Sequence, residues 1–573
     1  MPHALFRFLA IGLCALCCCA HGQLSTKDTS LHGPTITHNN RTVIQPRTMA
    51  MHVPLDEARV LRPSIDIDRI DELGYNINYT FTNDTDTPKP LGRLVVGAIT
   101  LDEHVHYLSL KRGSQLKYTT WDNYTGQIWR YPTDAYSPVC AIMDGKHAVG
   151  ASLLYPIDEY KHDVGVRLAN PGGVFKGPKN ARGWFIAFDL SNAKGANQYT
   201  RLVHEAILQP GEHRTYTVAV RVMERSGTPT ADPAAPQDWL ETLLPYRDYF
   251  HNRYGGVDYE RNPKPVRARE AANGGAISAR NPRGFFGDKT SRPDIAGFGQ
   301  LARILAKPDG FDRVMLWAPS GLYNTDRKLN YPTQFTSGWN DLPLLRTTYR
   351  QLNTVKSAGK ELGLWWGRSS QFADRWNPTS LESIDLSNRE HLRSISEQLE
   401  MARNAGATAV GLDNFNHAHI PVWEQARLLG AIKRIFPELR FIAEPMCCDI
   451  IHAEIPGFVT AYQSPKDARR EVDFHKLRTP NYLADFLLPG HENWALFRYS
   501  EIQRVDRTRI TPAREQRDAE HLARLGYVPV MLSSYDLSNP ARAIADETWR
   551  TTVPEHLQIR PQPTADHEST DDP

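Results

Sequence analysis

The chain has 573 residues, of which 40% are hydrophobic and 23% charged. That is an ordinary globular composition, with length enough for about two to four domains. Its 67 basic and 65 acidic residues leave a net charge of +2, so no charge field draws it to nucleic acid or to an anionic membrane.

Residues 1–22 read as an export signal. Arg7 precedes an apolar run from Phe8 to Ala20, and Ala20-His21-Gly22 offers small residues for cleavage before Gln23. The run is short for a bilayer span; an uncleaved anchor, or a lipid on Cys17, Cys18 or Cys19 without a clean lipobox, is the alternative. A secreted or periplasmic location is expected. Beyond the signal only Cys140, Cys447 and Cys448 remain, which is neither a disulfide framework nor a zinc spacing. No later stretch is long and apolar enough for a transmembrane segment.

Residues 23–59 are a polar leader that can add an edge strand. Residues 60–228 are expected to form a β-sandwich domain: Tyr75–Phe81, Leu94–Ile99 and Arg214–Val222 alternate at period two and are rich in β-branched and aromatic residues. Turn material such as Asn170-Pro171-Gly172-Gly173 separates them. Residues 229–284 read as a helical linker, with a helix from Pro236 to Tyr254 carrying Trp239, Leu243 and Tyr246, before Asn262-Pro263-Lys264-Pro265 bars further helix.

From residue 285 to 550 short apolar runs alternate with amphipathic helices, the signature of a parallel sheet. The expected strands are Arg313–Ala318, Leu362–Gly367, Ala409–Asp413, Arg440–Glu444, Phe458–Tyr462, Tyr482–Leu487 and Val528–Leu532. An eighth is expected near Gly275–Ser278 or Ala296–Phe298. Helices are expected over Pro343–Leu362, Asn388–Ala405 (with Ser387 as N-cap and Glu390 completing a capping box), Pro421–Phe436 and Pro512–Leu525. The fold is therefore a multidomain β plus α/β arrangement, an N-terminal β-sandwich followed by a TIM (β/α)8-type barrel. An open doubly wound sheet is the alternative, but no glycine-rich phosphate loop follows any strand, and no cofactor is expected. Residues 551–573 read as a disordered tail.

In a parallel barrel the site lies at the C-terminal ends of the strands. Asp413, Glu444 and Asp485 end apolar runs there, and a carboxylate after a buried strand is costly unless it is paired or used. Asp413 is the sharpest case: Pro421 lies too far downstream for it to be a direct helix cap. Glu444 has a salt bridge to Arg368 as its alternative, and Asp485 depends on register. Paired carboxylates suit glycosidic bond cleavage, one protonating the leaving oxygen and the other attacking the sugar or activating water; Arg368 or Lys360 would keep one of them ionised. Trp317, Trp365, Trp366 and Tyr462, with Trp339, stand at or near strand ends, where rings can stack on a pyranose. Asn414, Asn416 and Arg368 supply polar contacts. Alternation turns one of Trp365 and Trp366 outward against the helices. A metal on His417 and His419 with Asp413, and a nucleophile pair of Cys447 or Cys448 with His452, are weaker alternatives; no metal is expected.

On these residues, above all Gly411-Leu412-Asp413-Asn414-Phe415 and Ile442-Ala443-Glu444-Pro445, the region from Phe285 to Ser534 resembles the barrel of retaining glycosidases of the alpha-galactosidase (melibiase) and endo-alpha-N-acetylgalactosaminidase type. It is also similar to polygalactosaminidase-like barrels. The resemblance implies Asp413 as nucleophile and Glu444 as acid/base, with Asp485 as understudy. Many melibiases carry a charged residue two positions before the aspartate, where this chain has Gly411. The expected function is that of an exported glycoside hydrolase acting on a polysaccharide or glycoconjugate; a non-catalytic carbohydrate-binding barrel or a polysaccharide lyase is the alternative. Carbohydrate is the expected partner.

Overall fold

The computed structural model describes residues 24–27, 35–38, 41–45, 60–110, 115–124, 126–133, 135–170, 183–190, 204–225, 235–257, 261–270, 276–277, 302–303, 305–308, 310–317, 322–325, 328–330, 350–366, 371–374, 377–413, 415, 420–444, 448–461, 481–497, 512–532, 544 and 551–559. The expected export signal lies outside them.

The N-terminal half holds two seven-stranded antiparallel sheets. One runs, in spatial order, Leu24–Lys27, Thr35–His38, Arg41–Gln45, Arg93–Ile99, Trp184–Asp189, Val164–Ala169 and Gln127–Tyr131. The other runs Ser64–Arg69, Gly74–Thr82, His213–Glu224, His147–Leu154, Val139–Met143, His104–Ser109 and Gln115–Thr120. Alternation explains the partition: in Gly74–Thr82, Tyr75, Ile77, Tyr79 and Phe81 are buried while Asn76, Asn78 and Thr80 are half-exposed. The leader contributes three strands to the first sheet. Side chains of both sheets, including Ile77, Val96, Trp129, Trp184 and Val220, belong to one hydrophobic cluster that continues onto the outer face of the C-terminal strands.

A 3-10 turn over Asp238–Leu243 leads into the helix Leu244–Tyr254, with Trp239, Leu243, Tyr246 and Phe250 buried. This is the expected helix in two pieces.

Eight parallel strands then close a barrel: Val266–Glu270, Arg313–Trp317, Glu361–Trp366, Ala407–Leu412, Arg440–Ala443, Gly457–Ala461, Trp494–Phe497 and Val528–Leu532. Closure is the pairing of Val266 with Val530. Three expectations need correction. The first barrel strand is Val266–Glu270, inside the stretch assigned to a linker; Ala276–Ile277 instead pairs in a small three-stranded sheet with Leu322–Thr325, and residues 296–298 lie outside the described residues. Tyr482–Leu487 is a helix whose six residues are all buried, and the seventh strand is Trp494–Phe497. The tail is ordered at least to residue 559: Val553 and Leu557 are buried, and the Thr552 hydroxyl donates to Asp485 at 2.9 Å.

Parity sorts the barrel side chains. Val266, Ala268, Met315, Trp365, Ala409, Ile442, Val459, Trp494, Leu496, Val528 and Val530 form the inner cluster. Their strand neighbours Leu316, Leu364, Trp366, Val410, Leu412 and Phe441 join the outer cluster under the helices. The helices Arg389–Asn404, Val422–Ile435 and Pro512–Arg524 stand close to expectation, whereas the described part of the expected helix Pro343–Leu362 is a 3-10 turn over Arg350–Leu352 and a short helix over Asn353–Ser357, and Glu361 already opens the third strand. The first is capped by Asn388, whose side chain accepts from the Glu390 N–H at 2.9 Å. Ser387 instead bonds back to Asp385, so the expected capping box is absent.

The N-terminal mouth of the barrel is closed by ionic contacts. Glu492, fully buried, accepts from Arg313 at 2.8 Å and Arg440 at 3.0 Å, and from the Asn262 N–H at 2.9 Å. Arg313 also pairs with Glu361 at 2.8 Å. Lys360 belongs to this end, donating to the Lys307 carbonyl at 2.7 Å. It precedes the third strand, so the expectation that it neighbours a strand-terminal carboxylate does not hold.

Candidate active site

The opposite mouth collects the C-terminal strand ends. The parallel ladder runs one residue past the fourth and fifth strands: the Asp413 N–H donates to the Trp366 carbonyl at 2.9 Å, and the Glu444 N–H to the Leu412 carbonyl at 2.9 Å. Leu412 pairs with Ala443, so Asp413 and Glu444 follow in register on neighbouring strands, about 4.8 Å apart along the sheet. Each lies two residues beyond an inner-facing position, Gly411 and Ile442 respectively. Both side chains are half-buried, and both hold further contacts within the chain.

The floor beneath them is apolar. Trp365 is fully buried in the inner cluster, and its ring lies over Gly411. A Cβ on Gly411 would stand 1.8 Å from the Trp365 ring. This accounts for the glycine two positions before Asp413: the volume a charged side chain would use there is filled by indole. Trp365 is thus a packing residue of the floor, and Trp366 faces outward into the core under the helices. Neither presents an open ring to a sugar, which corrects their expected stacking role.

Asp485 is displaced from the site. It sits on the helix Tyr482–Leu487, where its carboxylate accepts from His491 at 2.7 Å and from Thr552 at 2.9 Å. Burial holds His491 below its ordinary range, so a neutral imidazole makes this bond. The six-residue run is buried on all sides, so no period distinguishes helix from strand.

Trp317 ends the second strand, at the register position opposite Glu270. Glu270, at the C-terminal end of the first strand, is a strand-terminal carboxylate that sequence reasoning missed; Val-Arg-Ala-Arg-Glu has too little apolar character to mark a barrel strand. Arg368, Asn414, Asn416, Tyr462, Trp339, His417, His419 and Cys447 lie outside the described residues.

A second missed group lies just downstream. Asp449 opens the short helix Asp449–Glu454 and is fully buried. It accepts from the Tyr131 hydroxyl at 2.9 Å and the Tyr246 hydroxyl at 2.6 Å. Burial pushes its carboxyl up to about 6, against the pull of hydrogen bonds from Ser137, Tyr246, Tyr131 and the Ile450 N–H. His452, expected only as a partner for Cys447 or Cys448, pairs instead with the Tyr136 hydroxyl at 2.5 Å. Burial holds its imidazole well below the usual range, and Cys448 is itself buried. Among the described residues no group of three or more His, Cys, Asp and Glu side chains is placed to hold a metal ion, and no helix is long and apolar enough to cross a membrane.

No family model and no curated protein matches the sequence. Among solved structures, the chain is similar to a GH36 alpha-galactosidase of Geobacillus stearothermophilus in complex with stachyose, at 13% identity and TM-score 0.41, over 81% of this chain and 63% of that one. It is also similar to the alpha-galactosidase of Thermus thermophilus in complex with stachyose, at 11% identity and TM-score 0.40, over 84% of this chain and 95% of that one. A beta-arabinopyranosidase follows at 10% identity and TM-score 0.36, over 76% and 67%. This chain therefore spans less than two thirds of the Geobacillus enzyme.

Proposed function

We propose that this chain is an exported glycoside hydrolase that cleaves O-glycosidic bonds of a polysaccharide or glycoconjugate, with Asp413 as nucleophile and Glu444 as acid/base. The N-terminal sheets, in this reading, form a β-sandwich packed against the barrel. The observation that carries the proposal is the pairing of two carboxylate residues on adjacent parallel strands, in register, at inner-facing positions of the mouth where barrels do their chemistry. The N-terminal mouth is closed by buried ion pairs, which supports assigning the site to the C-terminal end.

The chemistry asks for two carboxyl groups with different tasks. Glu444 protonates the departing glycosidic oxygen while Asp413 attacks the anomeric carbon; Glu444 then takes a proton from the water that releases the sugar. Neighbouring strands suit the short carboxyl separation of a retaining mechanism, about 5–5.5 Å, better than the roughly 6.5–9.5 Å of an inverting one. The apolar run from Phe8 to Ala20 supports export.

The test is turnover of a glycan panel by the purified chain and its Asp413→Asn and Glu444→Gln variants. Both variants are expected to melt within a few degrees of wild type and to lose about 10³-fold or more in kcat. Undiminished turnover by Asp413→Asn overturns the nucleophile assignment. Glycan binding without turnover by wild type replaces hydrolysis with a carbohydrate-binding barrel.

A further inference from the structure

Four residues separate Glu444 from Asp449, and Asp449 is where the N-terminal half takes hold of the barrel. Its two carboxylate oxygens accept separately, Oδ1 from the hydroxyl of Tyr131 at 2.9 Å and Oδ2 from that of Tyr246 at 2.6 Å. Its own N–H donates to the Tyr136 carbonyl at 2.9 Å. One turn on, the Tyr136 hydroxyl meets His452 Nδ1 at 2.5 Å. Tyr131 ends a strand of the first sheet, Tyr136 follows it, and Tyr246 stands on the helix that connects sheets to barrel.

A carboxylate with no solvent access is an expensive way to join two domains. Its desolvation costs several kcal/mol, and apolar side chains of similar size dock without that cost. Apolar contact has no direction, however, whereas two tyrosine hydroxyls on separate oxygens set both the height and the rotation of the helix Asp449–Glu454. The helix so fixed is the next described element after Glu444 and begins five positions beyond it. An acid/base displaced by an ångström loses about 10²-fold in rate.

We propose that Asp449 is a positioning residue: through Tyr131 and Tyr246 the N-terminal sheets and the connecting helix hold the helix Asp449–Glu454, which follows Glu444 in the chain, and thereby set that carboxyl group relative to Asp413. The domain in front of the barrel is then a working part of the active site. The proposal rests on the assignment of Glu444 made above.

The experiment uses the full chain with Tyr131→Phe and Tyr246→Phe combined, which removes both tyrosine donors, leaves the Ile450 N–H on Oδ1, and keeps both rings. Tyr79→Phe is the control; its buried ring also loses a hydroxyl bond, to the Val95 carbonyl at 2.8 Å, a bond made within the N-terminal sheets. The double variant is expected to lose about tenfold or more in kcat with KM within about twofold, the pattern of an interaction felt only in the transition state. Amide exchange over residues 449–455 is expected to rise, while the control keeps wild-type kcat and exchange. The proposal is overturned if the double variant keeps wild-type kcat, if Tyr79→Phe loses as much, or if exchange over 449–455 is unchanged. Turnover that survives Glu444→Gln removes the acid/base assignment instead. If wild type cleaves no glycan, hydrolysis is lost and exchange alone decides whether the seam holds this helix.

Discussion

Gly411 carries no side chain because Trp365 occupies the space one would need, with a built Cβ meeting its ring at 1.8 Å. The two positions are one packing unit beneath Asp413. Gly411→Ala is expected to cost about 3 kcal/mol in urea unfolding, at the upper end of overpacking penalties, and Trp365→Leu in the same chain to recover a large part of it. Additive costs in that double-mutant cycle would show that the ring has room to move. The pair also marks how far single residues speak for themselves. The strand-end positions of Asp413 and Glu444 were legible because each follows a short apolar run between helices. The choice between Trp365 and Trp366 was not, since adjacent identical residues carry opposite parities and only the barrel says which one is inside.

Several elements with a clear period stand where expected. Val528–Leu532 has its expected bounds, and Arg389–Asn404 falls within one residue of them. The helix cap differs by one position, a difference that has an energy. Asn388 adopts extended backbone and accepts from the Glu390 N–H. Asn388→Ala is therefore expected to lower stability by about 1 kcal/mol, and Ser387→Ala, which breaks only a local bond to Asp385, by less. Equal losses in denaturant titration would contradict the assignment of the cap. Two elements were misjudged for physical reasons. Val266–Glu270 alternates apolar with charged residues, yet Arg267 is buried against Phe311, so its outer face looks like solvent and is core. Tyr482–Leu487 is buried throughout and has no face to betray its period.

At the scale of the whole molecule, two joints carry buried charge, the closed mouth around Glu492 and the seam around Asp449. The seam has a measurable pH signature. The Asp449 carboxyl is raised by burial from 3.8 to about 6, so the folded chain holds its proton more tightly than the unfolded chain does. Its contribution to stability is complete below the unfolded value and is lost as pH rises through the folded one. Relative to Asp449→Asn, wild type is expected to lose on the order of 2–3 kcal/mol between about pH 4 and pH 7, read from urea unfolding of both at each pH. A difference that stays flat over that window would mean the carboxyl is ionised throughout. The C-terminal segment belongs to the same scale. Thr552 ties it to Asp485, and its carbonyl accepts from the Gln237 N–H at 2.8 Å, so the chain end clasps the barrel to the connecting segment.

The amino-acid sequence by itself determined the alternation of short strands with amphipathic helices and the two carboxylates that end neighbouring strands. Both are local facts: period follows from backbone geometry, and in a barrel wound strand by strand, successive segments become neighbours. Only the tertiary structure decided which indole fills the barrel, that Asp485 is spent on His491 and Thr552, and that tyrosines from the first half of the chain grip Asp449. Those outcomes depend on partners up to 318 positions away, and no window of sequence contains both ends of such a contact.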